Sequence, residues 1–301
     1  MSVVRAVSVA LLAAVCACAP PRPSSASATP IAKSAPVARP TVGAARTAVG
    51  TLDGVVASLQ ADPSADYGLV VEDLGSGERV AVNESRVFPS GSVYKLALAW
   101  HVLQQVDRGQ LRLGQSLEIV DDDTVEDEPL GGVAPGETPT VGEALEAMFS
   151  VSSNAAAHAF LRTLGRREFN QTMDTLGLVQ TRVPEQPELG EAVTTADDIA
   201  RLLRLIATDQ GLSGSTQSAL RRLLALGGAP DALRETLDDD VRVLDKTGNL
   251  EDASNVGALL VTPHSTVILV VLDQGVDPGD ARTVISQLGQ AAVTAVTAVQ
   301  H

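Results

Sequence analysis

A chain of 301 residues, 45% of them hydrophobic, is long enough for one large domain or two small ones. Its formal charge is −15 with no basic stripe, and aromatic residues make up only 2%, which argues against a nucleic-acid surface or an aromatic-lined groove. Both cysteines, Cys16 and Cys18, fall in the first 18 residues, and the four histidines (His101, His158, His264, His301) show no ligand spacing, so the domain is expected to hold no disulfide, metal or cofactor.

Residues 1–18 read as an export signal. Arg5 supplies the positive start, and Val7–Val15 is an apolar run too short to span a bilayer. Val15-Cys16-Ala17-Cys18 resembles a bacterial lipobox, which would make Cys18 a lipidated mature N-terminus; the alternative is plain secretion after an Ala-rich cleavage site. Residues 19–45, rich in Pro, Ala, Ser and Thr, cannot bury apolar surface and should act as an extended tether. The expected product is a secreted domain, 46–301, held by its lipid on the outer face of the bacterial cytoplasmic membrane.

Small and apolar residues at helical spacing predict a first helix over 46–61. Tyr67–Asp73 and Arg79–Asn83 flank Gly75-Ser76-Gly77 and read as a hairpin. Ser92–Val106 reads as a largely buried helix. The acidic clusters Asp121–Asp123 and Glu126–Glu128 read as a solvated loop. Helices are predicted over Val141–Phe149, Ser152–Leu164, Arg167–Leu176, Thr195–Thr208 and Thr216–Leu226, with Thr195 and Asp198 placed like a capping box. Val241–Lys246, Val256–Thr262 and Val267–Asp273 are β-branched-rich strands, and a last helix runs from Pro278 to Val299. Strands at both ends and helices between them predict an α+β domain, with one antiparallel sheet formed by both terminal parts and a separate helical lobe.

A serine hydroxyl needs a neighbour to take its proton, and no histidine lies near a candidate serine in sequence. Ser92-Val93-Tyr94-Lys95 offers an amine instead: on a helix, residues three apart share a face. A desolvated lysine can lose its proton near neutral pH, whereas arginine cannot. Of the 22 lysines and arginines only three are lysine, Lys33, Lys95 and Lys246, leaving nineteen arginines. Lys33 lies in the tether, so both lysines of the folded domain fall within motifs. Ser152-Ser153-Asn154 opens a predicted helix, and Asp245-Lys246-Thr247-Gly248 lies on a predicted strand with Asn249 after it.

SxxK, SDN and KTG segments in this order resemble the class A β-lactamases and penicillin-binding proteins. The resemblance covers about Arg46 to the C-terminus, with Ser153 standing in place of the family's Asp. It implies that Ser92 attacks a carbonyl carbon, Lys95 activates it, and Ser152 passes a proton to the leaving nitrogen. Asn154 would hold the substrate's side-chain amide and Lys95. Lys246, Thr247 and Gly248 would bind the carboxylate end, with the oxyanion held by the backbone N–H groups of Ser92 and Asn249. The substrate implied is a β-lactam or a small peptidoglycan-type molecule, and the enzyme is expected to be a monomer.

Two departures stand out. The family's deacylating glutamate lies on an Ω loop, here Thr181–Ala192, and the match of Pro187-Glu188-Leu189-x-Glu191-Ala192 puts Gln186 in its place and Gly190 where a water-holding Asn belongs. A one-residue slip makes Glu185 the candidate base; Glu188 and Glu191 read as surface charges. Asn255 replaces an expected carboxylate-binding Arg, for which Arg282 is a candidate substitute. The expected activity is β-lactam hydrolysis through Ser92. The alternatives are a D-alanyl-D-alanine peptidase or esterase on the same machinery, and a binding lipoprotein with little turnover.

Overall fold

Aliphatic and β-branched runs from both ends of the chain pair into one antiparallel sheet in the computed structural model, which describes residues 54, 56–57, 66–124, 128–187, 190–227 and 232–298. The export signal, Cys18, the tether and the domain boundary at Arg46 lie outside the described residues. β1 (Asp66–Asp73) and β2 (Arg79–Val82) form the expected hairpin. β3 (Phe88–Pro89) and β4 (Val193–Thr194) form a separate two-stranded sheet. β5 (Arg242–Leu250), β6 (Ala253–Val261) and β7 (Thr266–Gln274) complete the main sheet in the order β2-β1-β7-β6-β5. The α+β architecture, with a sheet closed by both terminal parts, is the one expected.

The helices are α1 (Lys95–Asp107), α2 (Val141–Ser150), α3 (Asn154–Leu164), α4 (Arg166–Leu176), α5 (Ala196–Ala207), α6 (Gly214–Ala225) and α7 (Pro278–Ala298). β1 and β7 are buried along nearly their whole length because both sheet faces are covered. Alternate side chains point to opposite sides. Leu69, Val71, Leu269 and Val271 pack with Ala281, Ile285 and Leu288 of α7, while Val70, Ile268 and Val270 join the core of the helical lobe. α1 runs through that lobe with ten of its thirteen residues buried, as a helix apolar nearly all round should.

Three local expectations are corrected. The helix opening at Ser92 begins as a 3₁₀ turn, Gly91–Tyr94, and becomes α-helical only at Lys95. Thr195 does cap α5 by accepting from Asp198 N (3.1 Å), but Asp198 does not complete a box. Its shorter carboxylate instead accepts from Gln180 N, Thr181 N and Thr181 Oγ1. The acidic run is not wholly solvated either. Asp123 is 1% exposed and takes Nε and Nη2 of Arg162 on α3 at 2.8 Å each, because a buried carboxylate requires a partner.

Two further contacts position the segment that carries Ser92. Ser90, just after β3, donates N–H (2.9 Å) and Oγ–H (3.0 Å) to Ala192 O, just before β4. β5 presses Gly248 so closely on the turn that a Cβ there would fall 2.6 Å from Ser90 O, 2.8 Å from Ser92 N and 2.9 Å from Val93 N, all backbone atoms. Glycine is required here for close approach rather than for a turn. Gly248→Ala should therefore lower the urea midpoint by an amount equivalent to about 1–3 kcal/mol, the usual cost of overpacking. An unchanged midpoint would mean that β5 and the turn can part freely.

Candidate active site

The 3₁₀ geometry that replaces the first helical turn sharpens the pairing of Ser92 with Lys95. With three residues per turn, side chains three apart eclipse one another. Gly91 adopts φ +48°, and a Cβ on it would approach the Gly248 backbone to 3.1–3.3 Å, so both glycines serve one close contact. Ser92 is half-buried at the wall of a cavity of about 1020 Å³.

Lys95 is fully buried, and its amine is turned toward the second motif. Nζ donates to Ser152 O (2.5 Å), Asn154 Oδ1 (2.7 Å) and Ser152 Oγ (3.3 Å). Among the described residues no hydrogen bond is recorded between Ser92 Oγ and Lys95, whose amine is engaged by Ser152 and Asn154. Burial, with Lys246 nearby as a second cation, lowers the Lys95 amine to about 7, opposed by Glu128.

Lys246 faces the same serine from β5. Its Nζ donates to Ser152 Oγ (3.1 Å) and to Thr247 O (2.8 Å), and burial lowers its pKa to about 8, with Asp245 opposing. Ser152 thus sits between two amines, in a left-handed conformation (φ +61°) that is unusual for serine. Ser153 caps α3, its hydroxyl accepting from Ala156 N, while Ser152 and Asn154 turn toward the lysines.

The cavity is lined by Ser92, Ser152, Asn154, Lys246, Thr247 and Asn249, so three distant segments meet as the motifs imply. Gly248 does not line it; it is spent on the contact with the Ser92 turn. Arg282, exposed on the first turn of α7, lines the cavity. Asn255 is 1% exposed and acts as a strut: Nδ2 donates to Pro89 O (2.8 Å) and Oδ1 accepts from Asp273 N (2.9 Å).

The Ω segment is pinned by Asn170, which bonds both Val183 N (3.0 Å) and Val183 O (2.9 Å). Glu185 is exposed and lines a second, shallower depression with Asp122 and Arg162, not the Ser92 cavity. Gln186 is exposed and lines neither; Glu188 lies outside the described residues; Glu191 is exposed at the cavity rim. Arg166 lines the cavity instead, with Nη1 donating to Pro184 O (3.3 Å). It lies near Tyr94, whose buried phenol is pushed up to about 12, with Arg166 opposing. Arg166 carries no motif, and nothing in the sequence pointed to it. Tyr67 and Trp100 are core residues, whereas half-buried His158 lines both depressions, bonded through Nδ1 to Asp123 O (3.0 Å).

The fold and this arrangement agree with known proteins. Residues 52–296 match the Beta-lactamase enzyme family. Beta-lactamase AER-1 of Aeromonas hydrophila is 29% identical over 232 residues, covering 72% of this chain and 76% of that protein. The structure of an ancestral class A β-lactamase (GNCA) superposes with a TM-score of 0.74 at 30% identity, over 81% of this chain and 99% of its own. PBP-A shares the fold at a TM-score of 0.75 and 21% identity, over 82% and 95%, and a mutant of it has been solved as an acyl-enzyme complex with penicillin G. With its motifs gathered in one cavity and the match spanning most of its length, the chain belongs to the class A β-lactamase family of serine hydrolases.

Proposed function

We propose that this protein reacts with β-lactams through Ser92 and hydrolyses the resulting acyl-enzyme slowly. The observation that carries this reading is the Lys95–Ser152–Lys246 relay, assembled in the cavity that Ser92 lines. Lys95, as the free amine, takes the Ser92 proton, directly or through a water, as Oγ bonds to the carbonyl carbon. The developing oxyanion meets the N–H groups of Ser92 and Asn249. As the C–N bond breaks, Ser152 gives its proton to the leaving nitrogen and is resupplied by Lys95, so the net transfer is from Ser92 to that nitrogen. Lys246, Thr247 and Arg282, which all line this cavity, would bind the substrate carboxylate.

Deacylation needs a base aimed at a water; of the described Ω-segment glutamates, Glu185 lines the other depression and Glu191 is exposed at the rim of this cavity. That favours a long-lived adduct over rapid turnover, and it keeps open a role closer to a penicillin-binding protein or a peptidase.

The two lysines should make acylation bell-shaped in pH. The rate should rise through about pH 7 as Lys95 loses its proton and fall above about pH 8 as Lys246 loses its charge, the two limbs belonging to the coupled pair. Stopped-flow labelling with a fluorescent penicillin reads the profile. Ser92→Ala should abolish labelling and Lys95→Arg should nearly do so; normal labelling of Lys95→Arg would remove Lys95 from the reaction.

Intact-mass spectrometry after mixing with penicillin should show an adduct on Ser92 persisting for minutes or longer, since missing general-base help typically costs on the order of 10²–10⁴ in rate. Glu185→Gln should leave that lifetime unchanged, because Glu185 faces away from the cavity. A lengthened lifetime would restore Glu185 as the base.

The export signal, the cysteine position and the Pro-rich spacer together support a lipid anchor at Cys18, which would hold the domain outside the cytoplasmic membrane. Detergent-phase separation should place the wild type with membrane proteins and Cys18→Ala in the aqueous phase. A wholly aqueous wild type rules the anchor out.

A further inference from the structure

We propose that Glu128 is a positioning residue of this site, supplying across space the carboxylate that Ser153 lacks and so holding the Ser152–Asn154 turn. Its two oxygens take three donors from that turn: Oε1 accepts from Ser153 Oγ (2.5 Å), and Oε2 accepts from Asn154 N (3.0 Å) and Ala155 N (2.9 Å). Ser153 Oγ in turn accepts from Ala156 N (3.2 Å). The first three amides of α3 are therefore all satisfied by one glutamate and one serine hydroxyl, where the helix would otherwise leave them open. A carboxylate at a helix N-terminus is also favoured by the helix dipole.

The turn needs such an anchor. Ser152 holds a backbone conformation that serine rarely adopts, a strain that its surroundings must offset. Lys95 donates to Ser152 O, Ser152 Oγ and Asn154 Oδ1, so a turn that slips by a few tenths of an ångström moves every acceptor of the reacting amine. Glu128 holds this turn through Ser153 Oγ and the amides of Asn154 and Ala155, none of which bonds the amine. It also adds charge. Of the groups that bear on Lys95, burial and Lys246 on β5 favour the neutral amine, while Glu128 favours the ammonium; His158 on α3 feels the charge of Lys95 in return.

If one carboxylate serves this turn, it should be transferable. Glu128→Gln alone, and Ser153→Asp alone, should each do harm: the first removes the charge, and the second places two carboxylates at one helix end. The pair Glu128→Gln with Ser153→Asp should recover function, because the charge returns to the same amides from a different position in the chain.

The chain's three lysines make a direct reading possible. With lysine labelled by ¹³C at Cε, the full-length protein should show resonances from Lys33, Lys95 and Lys246 only. The Lys95 titration midpoint should move to lower pH in Glu128→Gln and return in the double variant. Labelling by fluorescent penicillin, the arm that rests on the function proposed above, should slow roughly tenfold in each single variant, the scale of one lost charge-assisted hydrogen bond, and recover in the double. Glu128→Asp, which keeps the charge one methylene short, replaces Glu128→Gln if that variant does not fold, with slowed labelling expected again. A Lys95 midpoint that ignores Glu128→Gln, or a double variant as impaired as its worse single, overturns the proposal. A wild type that no penicillin labels would defeat the proposed function instead, while the lysine titration and a double-mutant cycle of urea unfolding would still decide the role of Glu128.

Discussion

The site depends on keeping an amine dry. Lys95 begins a helix buried on nearly every side, and its burial is what makes a lysine a usable base near neutral pH. An ammonium deprived of water must find acceptors, and it finds three in Ser152 and Asn154. The second motif therefore exists as much to receive this amine as to touch substrate. Lys246, entering from the sheet, adds a second cation that favours the neutral form of the first. In the folded state the two lysines bind fewer protons than in the unfolded chain from about pH 7 up to the free-lysine range, so stability rises with pH across that window, and the catalytic need is met at some expense to the fold below it.

The sheet provides the rigidity that this arrangement requires. β5 carries Lys246 and Thr247 and, through Gly248, lies in backbone contact with the turn that carries Ser92. Asn255 on β6 ties Pro89 to β7, and Ser90 ties the same segment to the end of the Ω stretch. The Ser92 turn is thus fixed from both sides by hydrogen bonds and by a contact with no room for a methyl group. Residues two positions apart on β5 divide the work, Lys246 toward the cavity and Gly248 against the turn.

The opposite wall departs from what the motifs imply. Arg166, which no motif marked, contributes a cation to the cavity lining, while Glu185, the candidate base, lines another depression. Ser92, Ser152, Asn154, Lys246 and Thr247 line one cavity, and Glu191 is exposed at its rim.

Much of this protein was legible in its sequence because the signals are local. Periodicity placed α2 to α7 within two residues of their observed ends, although α1 starts three residues later than read. The strand reading found the five strands of the main sheet but not β3 or β4, and short motifs singled out Ser92, Lys95, Ser152, Asn154 and Lys246, which the fold brings together. What remained hidden needs contacts between residues far apart in the chain. That Asp123 and Glu128 are structural ligands rather than solvated charges depends on Arg162 and on the start of α3, 25 to 39 positions away. Whether Glu185 faces Ser92 depends on how Asn170 pins the loop, and the reason for Gly248 is visible only when β5 meets the nucleophile turn. Sequence by itself determined which residues can do the chemistry, since identity and short spacing set what an amine or hydroxyl is able to do. Tertiary structure alone decided their protonation, partners and facing, because burial and contact across the chain are set by packing that no local pattern encodes.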